Sequence, residues 1–270
     1  MYYLNSTYTC FSQKKNKSSK IFVGDYVEFN FDDKTNEFVI TKIYERKNSL
    51  IRPFVTNISQ ILIVISPEPV PDLILIDKLI INAKINQIKP IIVFNKCELN
   101  QELLKKIKNE YQNSGVEVIN VSCKENINID ELIKLLKNNT TTLAGQSGVG
   151  KTSLLNKICE KENKIGSLSE KIKRGKNTTT SAELINLEEN SFILDTAGFS
   201  KIEFNDLDPS SIKDYYKEFE NTNCVYSNCN HVFEGNKCSV INNKDINPNR
   251  YDRYKQIFLE CKENWSKRYD

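Results

Sequence analysis

The chain has 270 residues, of which 39% are hydrophobic and 27% charged, and its formal net charge is +3. This balance is typical of a globular protein rather than a disordered one, and no apolar run is long enough for a signal peptide or a membrane span. The length allows two or three structural units, and the small net charge does not by itself indicate a nucleic-acid-binding protein. We therefore expect a cytoplasmic protein without a membrane segment.

The first predicted unit covers residues 1–56. Residues 21–31 and 38–46 have the alternating pattern of β-strands, and the turn-like run Asp-Asp-Lys-Thr-Asn lies between them at 32–36. This pattern predicts antiparallel hairpins of a small β-barrel. Tyr26, Phe29 and Phe31 fall on one predicted strand. An open barrel face could present them to nucleic acid, but we expect these three rings to lie in the core.

The second predicted unit covers residues 57–204, where apolar strand-like runs alternate with helical stretches. Such alternation indicates an α/β unit with a mostly parallel sheet and helices on both faces. The predicted strands are residues 61–66, 91–95, 116–122, 141–145, 182–188 and 191–195, and the predicted helices are residues 71–86, 101–112, 129–138 and 151–160.

The third predicted unit, residues 205–270, has no further strand-like runs and ends in a predicted helix at 249–265. Three of the eight cysteines, Cys224, Cys229 and Cys238, surround the single histidine, His231, in this unit. Three thiolates and one imidazole form the ligand set of a closed, tetrahedral zinc site. We prefer Zn²⁺ to the alternative of reduced, metal-free cysteines, because disulfides are not expected in a cytosol-like chain.

A glycine-rich loop follows the predicted strand 141–145 and opens the predicted helix 151–160. In this context a loop can wrap backbone N–H groups around the phosphates of a nucleotide. Lys151 would bridge the β and γ phosphate oxygens, and the hydroxyl of Thr152 would bind Mg²⁺. The predicted phosphate-binding residues are Gly145, Gln146, Ser147, Gly148, Val149, Gly150, Lys151 and Thr152, with Ser153 after them on the helix.

Two shorter motifs indicate which base the nucleotide carries. Asn95-Lys96-Cys97-Glu98 resembles the Asn-Lys-x-Asp guanine motif of GTPases, in which the acidic residue accepts bonds from the base and the lysine packs over it. Glu98 has one methylene more than the usual aspartate, so a preference for guanine is expected but ATP stays an alternative. Ser122, Cys123 and Lys124 are similar to the Ser-Ala-Lys loop that also contacts guanine, and they support GTP and GDP as the ligands.

The switch segments of GTPases also have counterparts. Asp195-Thr196-Ala197-Gly198 is similar to the Asp-x-x-Gly switch, where the aspartate holds Mg²⁺ through water and the N–H of the glycine, here Gly198, senses the γ-phosphate. The segment 174–180, which contains Asn177 and Thr179, resembles the first switch, and Thr179 would complete the Mg²⁺ shell.

The order of these motifs is unusual, because Asn95 precedes Gly145 by fifty residues whereas ordinary GTPases have the phosphate loop first. The domain is therefore predicted to be circularly permuted, which a fold tolerates when its termini lie close together. Together with the strings RPFVTNISQILIV, RGKNTTT, DTAGF and CVYSNCNHVFEGNKC, this order resembles the family of ribosome small-subunit-dependent GTPase A over nearly the whole chain.

The resemblance implies a fold and a biological role. It implies an OB-fold β-barrel at 1–56, a circularly permuted P-loop GTPase domain at 57–204 and a zinc-binding, mainly helical domain at 205–270. The implied role is GTP hydrolysis on the small ribosomal subunit during late maturation, with rRNA as a contact, and we expect a monomer. The last ligand interval of the family is one residue shorter, so this chain departs from the pattern at Cys238.

The catalytic expectation has one missing part, a group that orients the attacking water. Many GTPases have glutamine directly after the Asp-x-x-Gly switch, where this chain has Phe199, and the resembled family has a histidine in the first switch, where this chain has Asn177. We expect catalysis from Lys151, Thr179, Asn177 and Gly198, with slow intrinsic turnover. One alternative is a nucleotide-gated RNA-binding or ribosome-binding switch with negligible hydrolysis, and another is a permuted NTPase outside ribosome biology.

Overall fold

The computed structural model of the chain describes residues 1–3, 6–12, 20–51, 54–162, 183–188, 190–195, 202–220, 222–241 and 243–269. The described strands are β1 (Tyr2–Tyr3), β2 (Ser6–Thr7), β3 (Cys10–Ser12), β4 (Val27–Asp32), β5 (Glu37–Ile43), β6 (Ser49–Ile51), β7 (Phe54–Thr56), β8 (Gln60–Ile65), β9 (Lys89–Phe94), β10 (Glu117–Asn120), β11 (Thr140–Ala144), β12 (Glu183–Glu188) and β13 (Ser191–Asp195). The described α-helices are α1 (Leu73–Ile85), α2 (Gln101–Tyr111), α3 (Ile129–Leu136), α4 (Lys151–Lys161) and α5 (Pro248–Ser266). Short 3-10 helices occupy Pro209–Tyr215, Lys217–Phe219, Gly235–Lys237 and Lys267–Tyr269.

A six-stranded mixed sheet forms the centre of the molecule, with the strand order β10-β9-β8-β11-β13-β12. All neighbours are parallel except β12, which pairs antiparallel with β13. The mostly parallel sheet predicted from the alternation of strands and helices is confirmed. Because five strands run in one direction, the loops that follow their carboxyl ends meet along one edge of the sheet.

The central strands are buried on both faces, which explains why they are almost continuously apolar. In β8, Ile61, Ile63 and Ile65 pack into one hydrophobic cluster with α1 and α2, whereas Leu62 and Val64 pack into a second cluster with α3 and α4. The side chains alternate between faces because the strand period is two residues. This double burial makes the sheet the rigid support of the loops at its carboxyl edge.

Several helices begin where the sequence supplies a capping side chain. The carboxylate of Asp72 accepts from the N–H groups of Ile74 and Leu75 at the start of α1. Asn247 caps α5 in the same way, and Pro248 occupies the first helical position, where the missing N–H costs nothing. These caps satisfy backbone donors that have no partner within the helix.

The N-terminal part is built on the antiparallel pair β4 and β5, with β3 added parallel to β5. The hairpin turn has Asn36 at φ +56°, and the N–H of Lys34 donates to Asp32 Oδ1 at 2.9 Å, in agreement with the predicted turn at 32–36. The expectation that Tyr26, Phe29 and Phe31 lie in the core is wrong for two of them. Tyr26, which precedes β4, is 57% exposed, and Phe31, one residue before the end of β4, is 47% exposed. Phe29 is half-buried, with its ring against those of Tyr3 and Phe38.

Asp25 ties the N-terminal segments together. Its carboxylate accepts hydrogen bonds from the N–H of Phe22, the guanidinium of Arg46 and the hydroxyl of Thr56. Burial works to raise the pKa of Asp25, but these hydrogen bonds outweigh it and hold the pKa below its ordinary value of 3.8. The ionised carboxylate therefore stabilises this part of the fold.

The C-terminal region packs α5 and the 3-10 helices Pro209–Tyr215 and Lys217–Phe219 into a cluster that continues into the central unit, since Ile81 of α1 belongs to it. The domain boundaries at 56/57 and 204/205 remain predictions. Among the described helices, none combines the length and apolar character that crossing a membrane requires.

Candidate functional site

Three sequence-predicted motifs lie at the carboxyl edge of the sheet. The guanine-like motif begins at Asn95 after β9, the second base motif at Ser122 follows β10, and the glycine-rich loop begins at Gly145 after β11. Asp195 ends β13, the other neighbour of β11, so the backbone places it at the same edge. Ligands of open α/β sheets bind in such a crevice.

The glycine-rich loop needs glycine where its backbone approaches other parts of the fold. Gly145 has φ +130°, and a Cβ there would lie 2.2 Å from the carbonyl oxygen of Val64. Gly150 has φ +92°, and a Cβ there would lie 2.4 Å from Nδ2 of Asn95. A larger residue at either position would displace the loop from the sheet. Gly150 precedes the first turn of α4, whose free N–H groups favour an anion.

Lys151 contacts the backbone of the phosphate loop. Its ammonium donates to the carbonyl oxygens of Gly145 at 2.7 Å and Gln146 at 2.6 Å. Burial lowers the pKa of Lys151, because the charged form loses solvation. Thr152 and Ser153 are exposed at the start of α4, and Val149 is fully buried and anchors the loop in the core.

The guanine-like motif contains two buried oxygen atoms with no hydrogen-bond partner among the described residues. Asn95 is 2% exposed, and its Nδ2 donates to the carbonyl of Val149 at 3.0 Å, while its Oδ1 has no partner. Oε2 of Glu98 is likewise buried and unpaired. Buried acceptors without a donor are costly, so these atoms fit a ligand that supplies N–H groups.

Lys96 links the guanine-like motif to the phosphate loop. Its ammonium donates to the carbonyl oxygens of Gly148 at 3.1 Å and Glu68 at 2.8 Å. Cys97 is buried behind it, and its N–H donates to the carbonyl of Val121. These bonds connect the segments that follow β8, β9, β10 and β11 at this edge into one structure.

The second base motif is fixed from within. Ser122 is fully buried, and its hydroxyl accepts from the N–H of Glu125 at 3.0 Å. Ser122 and Ile127 also exchange two backbone hydrogen bonds, which closes the loop as a tight turn. Cys123 is half-buried, and burial raises the pKa of its thiol, whereas Lys124 is exposed beside Glu125.

The residues predicted for the two switches lie outside the part of the chain that the structure describes. Asn177, Thr179 and Gly198 are in this group. For Asp195 only the backbone is described, as the end of β13. The magnesium ligands Thr179 and Asp195 and the catalytic residues Asn177 and Gly198 therefore stay predictions.

The loop between β8 and α1, residues 66–72, also borders the site, and the motifs did not indicate it. Gln146 Oε1 accepts from the N–H of Asp72 at 2.9 Å, and Gln146 Nε2 donates to the carbonyl of Val70 at 3.4 Å. Gln146, predicted as a nucleotide-binding residue, thus directs its side chain to this loop. The only sequence signal was its place, a proline-rich run directly after a strand that ends at the same edge.

The Cys/His cluster is a second candidate site, far along the chain. The structure brings together Cys224, Cys229, His231 and Cys238, whose ligand atoms all lie within 4.8 Å of one another. His231 Nδ1 lies 3.5 Å from Sγ of Cys224, 3.4 Å from Sγ of Cys229 and 3.4 Å from Sγ of Cys238. A tetrahedral zinc ion with these donors has edges of about 3.5–3.8 Å. The donor set and its spacing fit a metal ion.

Known proteins are similar to this chain over most of its length. The family model described as RsgA GTPase matches residues 43–205. The chain belongs to the RsgA GTPase family. Curated relatives named small ribosomal subunit biogenesis GTPase RsgA include those of Thermotoga petrophila, 38% identical over 89% of this chain and 84% of the relative, and of Clostridium botulinum strain Kyoto, 40% identical over 86% and 81%.

Solved structures agree with this RsgA family assignment. The crystal structure of YjeQ from Thermotoga maritima is similar with a TM-score of 0.81 and 33% identity, covering 96% of this chain and 91% of that one. YloQ, described as a circularly permuted GTPase, is similar with a TM-score of 0.77 and 28% identity, covering 94% and 86%. The predicted permutation is confirmed: the chain is a circularly permuted GTPase with a mixed α/β sheet.

An ionic cluster that sequence reasoning missed lies between the central unit and α5. Asp77 of α1 accepts from Arg250, from Arg253 at 2.6 Å and from the hydroxyl of Tyr111 at 2.8 Å. All four side chains are at most 9% exposed. The partners are more than a hundred residues apart for each arginine, so no local pattern could indicate the pairing.

Further carboxylates complete the ionic cluster. Glu218 accepts from Arg250, and Glu110 accepts from Arg253 at 2.8 Å. Burial works to lower the pKa of each arginine, but the carboxylates outweigh it and raise the pKa above the ordinary value. The guanidinium of Arg250 also lies between the rings of Tyr111 and Tyr216, 4.8 and 4.7 Å from their centroids. Desolvated charges of this kind persist only when each one is paired.

Proposed function

We propose that this RsgA-family GTPase binds GTP and GDP along the carboxyl edge of its sheet and hydrolyses GTP when it is docked on the small ribosomal subunit during the late maturation of that subunit. One observation carries the base assignment: the buried, unpaired oxygens of Asn95 and Glu98. Guanine carries an N1–H and an exocyclic amine on one edge, whereas adenine has an acceptor at N1. The unpaired carboxylate oxygen therefore favours guanine.

The residues of the phosphate loop would hold the phosphates from the main chain. The N–H groups of Gly148, Val149 and Gly150 and the first turn of α4 are the donors, and Lys151 adds a positive charge. Developing negative charge on the phosphoryl oxygens is stabilised by such preorganised groups rather than by a covalent step. Lys151 already lies within the loop, held by two carbonyls, so its ammonium needs only a short movement to reach a phosphate.

We assign the magnesium ligands to Thr152, Thr179 and Asp195. β13, which ends at Asp195, pairs with β11, and β11 leads through the phosphate loop into α4, where Thr152 is exposed. Oxygen donors are what this ion prefers. Mg²⁺, when bound, neutralises charge on the β and γ phosphates.

We assign Zn²⁺ to Cys224, Cys229, His231 and Cys238, as a structural ion with no open coordination position. Supporting interactions orient the ligand loop: Glu234 accepts from the N–H groups of Asn230, Val232 and Phe233. The segment before Cys238, which has one residue more than the family pattern, contains the 3-10 helix Gly235–Lys237.

We assign rRNA binding to the N-terminal region. We propose an OB-fold barrel for residues 1–56 that contacts rRNA, supported by exposed aromatic side chains next to cations. Phe54 is 53% exposed and stacks on Phe22, with Lys20 5.5 Å from the Phe54 ring and Arg46 4.6 Å from the Phe22 ring. Such platforms bind single-stranded nucleic acid by stacking.

The deciding experiment measures multiple-turnover phosphate release from GTP while purified small ribosomal subunits are titrated in, with large subunits as the control. We expect slow release alone and a saturable increase with small subunits only. Flat kinetics with both subunits would contradict coupled hydrolysis and favour a nucleotide-gated switch. Competition between GDP and ADP for the free chain tests the base assignment separately.

The variant Asn177→Ala tests how the attacking water is oriented. We expect reduced turnover with small subunits and nearly unchanged nucleotide affinity, because an amide can hydrogen-bond a water without contributing to ground-state binding. An undiminished stimulated rate would exclude Asn177 from this role.

A further inference from the structure

Helix α1 contacts the nucleotide edge at its first residues. Asp72 caps the helix, and its N–H donates to the side chain of Gln146 in the phosphate loop at 2.9 Å. The same Gln146 side chain donates to the carbonyl of Val70, two residues before Asp72. Gln146 therefore uses its acceptor and one of its donors to hold the start of α1 rather than pointing into solvent.

The side of α1 contacts the C-terminal region. Lys78 donates to both carboxylate oxygens of Glu260 on α5, at 2.6 and 2.7 Å, and Asp77 binds Arg250 and Arg253 of the ionic cluster. Further along, the ammonium of Lys84 donates to the carbonyl of Tyr215 at 2.7 Å. Three positions on one helix, Asp77, Lys78 and Lys84, are thus fixed to the C-terminal region that carries the Cys/His cluster.

The helix between these contacts is rigid. From Asp72 to Lys78 it rises about 9 Å, less than two turns. The sequence of α1, LILIDKLIINAKI, contains neither glycine nor proline, and Leu79 and Ile80 are buried against the sheet. A helix without a bend or hinge transmits a displacement at one contact to the next.

We propose that α1 braces the phosphate loop against the C-terminal region, with Gln146 and the Lys78–Glu260 pair as positioning residues at its two ends. Nucleotide affinity then depends on how the C-terminal region is seated, and by linkage the seating of that region depends on the nucleotide. The predicted effect on nucleotide affinity rests on the proposed function, because it assumes that the phosphate loop binds GDP. The mechanical contact of α1 with the phosphate loop and the C-terminal region does not depend on that assumption.

The first test is a double-mutant cycle on the affinity for a fluorescent GDP analogue. Gln146→Ala removes the contact at the loop, and we expect about fivefold to tenfold weaker binding. Glu260→Gln removes the ion pair at the far contact, more than a helix turn from the loop, and we expect about twofold to fivefold weaker binding. In the double variant we expect Glu260→Gln to cause no further loss of affinity, because Gln146→Ala has already removed the contact between α1 and the phosphate loop.

A matched control is Glu117→Gln, which removes the exposed Lys89–Glu117 pair between β9 and β10 without touching α1. We expect it to leave affinity unchanged. An unaltered affinity in Glu260→Gln, a decrease of equal size in Glu117→Gln, or additive effects in the double variant would each overturn the brace.

Amide hydrogen exchange without nucleotide decides the question independently of GDP binding. The N–H of Asp72 is held by Gln146, so we expect faster exchange at Asp72 in Gln146→Ala and also in Glu260→Gln, but not in Glu117→Gln. Unchanged exchange at Asp72 in Glu260→Gln would overturn the proposal even if every chain binds GDP. Failure of the wild-type chain to prefer GDP over ADP would count against the proposed function alone.

Discussion

At the carboxyl edge of the sheet, the polar groups of the candidate nucleotide site lie on loops that Val149 anchors to a core of aliphatic side chains, whereas in the C-terminal region two of the candidate metal ligands belong to the core itself. Asn95 and Glu98 project from the end of β9, behind which Ile92 and Phe94 are fully buried. Cys229 and Cys238 instead are members of the C-terminal hydrophobic cluster. A change in the first region should therefore reduce binding and leave the fold, while a change in the second should reduce stability.

The largest effect is expected for Cys229→Ser. Loss of one thiolate from a closed site removes the metal, and with it more than about 5 kcal/mol of local stability. Zinc content per chain and thermal unfolding measure this, with Cys10→Ser in β3 as the control that keeps the metal. An unchanged zinc content in Cys229→Ser would contradict the ligand assignment and remove the contrast between the two regions.

The next largest effect is expected for Asp77→Asn, which tests whether the ionic cluster stabilises the contact between α1 and α5. Removing this carboxylate leaves Arg250 and Arg253 buried without their shared partner, so the free energy of unfolding should fall by about 3–5 kcal/mol. Urea unfolding measures it. Asp130→Asn breaks an exposed pair with Lys161 and should cost at most about 1 kcal/mol. Equal losses in both variants would show that burial of the cluster is not decisive.

A smaller effect, on binding rather than folding, is expected for Glu98→Ala. A hydrogen bond to a charged acceptor contributes about 1.5–3 kcal/mol, so GDP affinity should fall by about tenfold to a hundredfold with little change in unfolding. Calorimetric titration with GDP and ADP measures it, and Glu102→Ala, an exposed carboxylate on α2, is the control. GDP affinity that stays at the wild-type value would show that Glu98 does not contact the base.

The smallest effect is expected at the N-terminal part and depends on pH. The folded-state pKa of Asp25 lies below its ordinary value of 3.8, so its stabilising contribution is present above about pH 4 and is lost as the pH falls through the folded pKa. The stability difference between wild type and Asp25→Asn should be constant from pH 7 to about pH 5 and shrink towards pH 3. Denaturant unfolding at each pH measures it, and a difference that grows on acidification would contradict the shift.

Local patterns determined much of this protein. The alternation of apolar runs with helical stretches predicted every strand of the central sheet and the four helices that pack on it. Strands buried on both faces are rich in apolar residues, and in a helix the apolar residues recur about every 3.6 positions. The motifs at Asn95, Ser122 and Gly145 predicted a permuted GTPase, since their chemistry is carried by short contiguous segments whose order is visible in the chain. The Cys/His spacing likewise predicted the cluster that the structure assembles.

The tertiary structure alone decided what depends on residues distant in the chain. Tyr26 and Phe31 were expected in the core but are exposed, because alternation along a strand does not say which face other segments cover. Gln146 holds α1, and Asp77 pairs with Arg250 and Arg253 across more than 170 residues. A buried charge looks like a surface charge in the sequence, because its cost and its partner are set by packing rather than by neighbours in the chain.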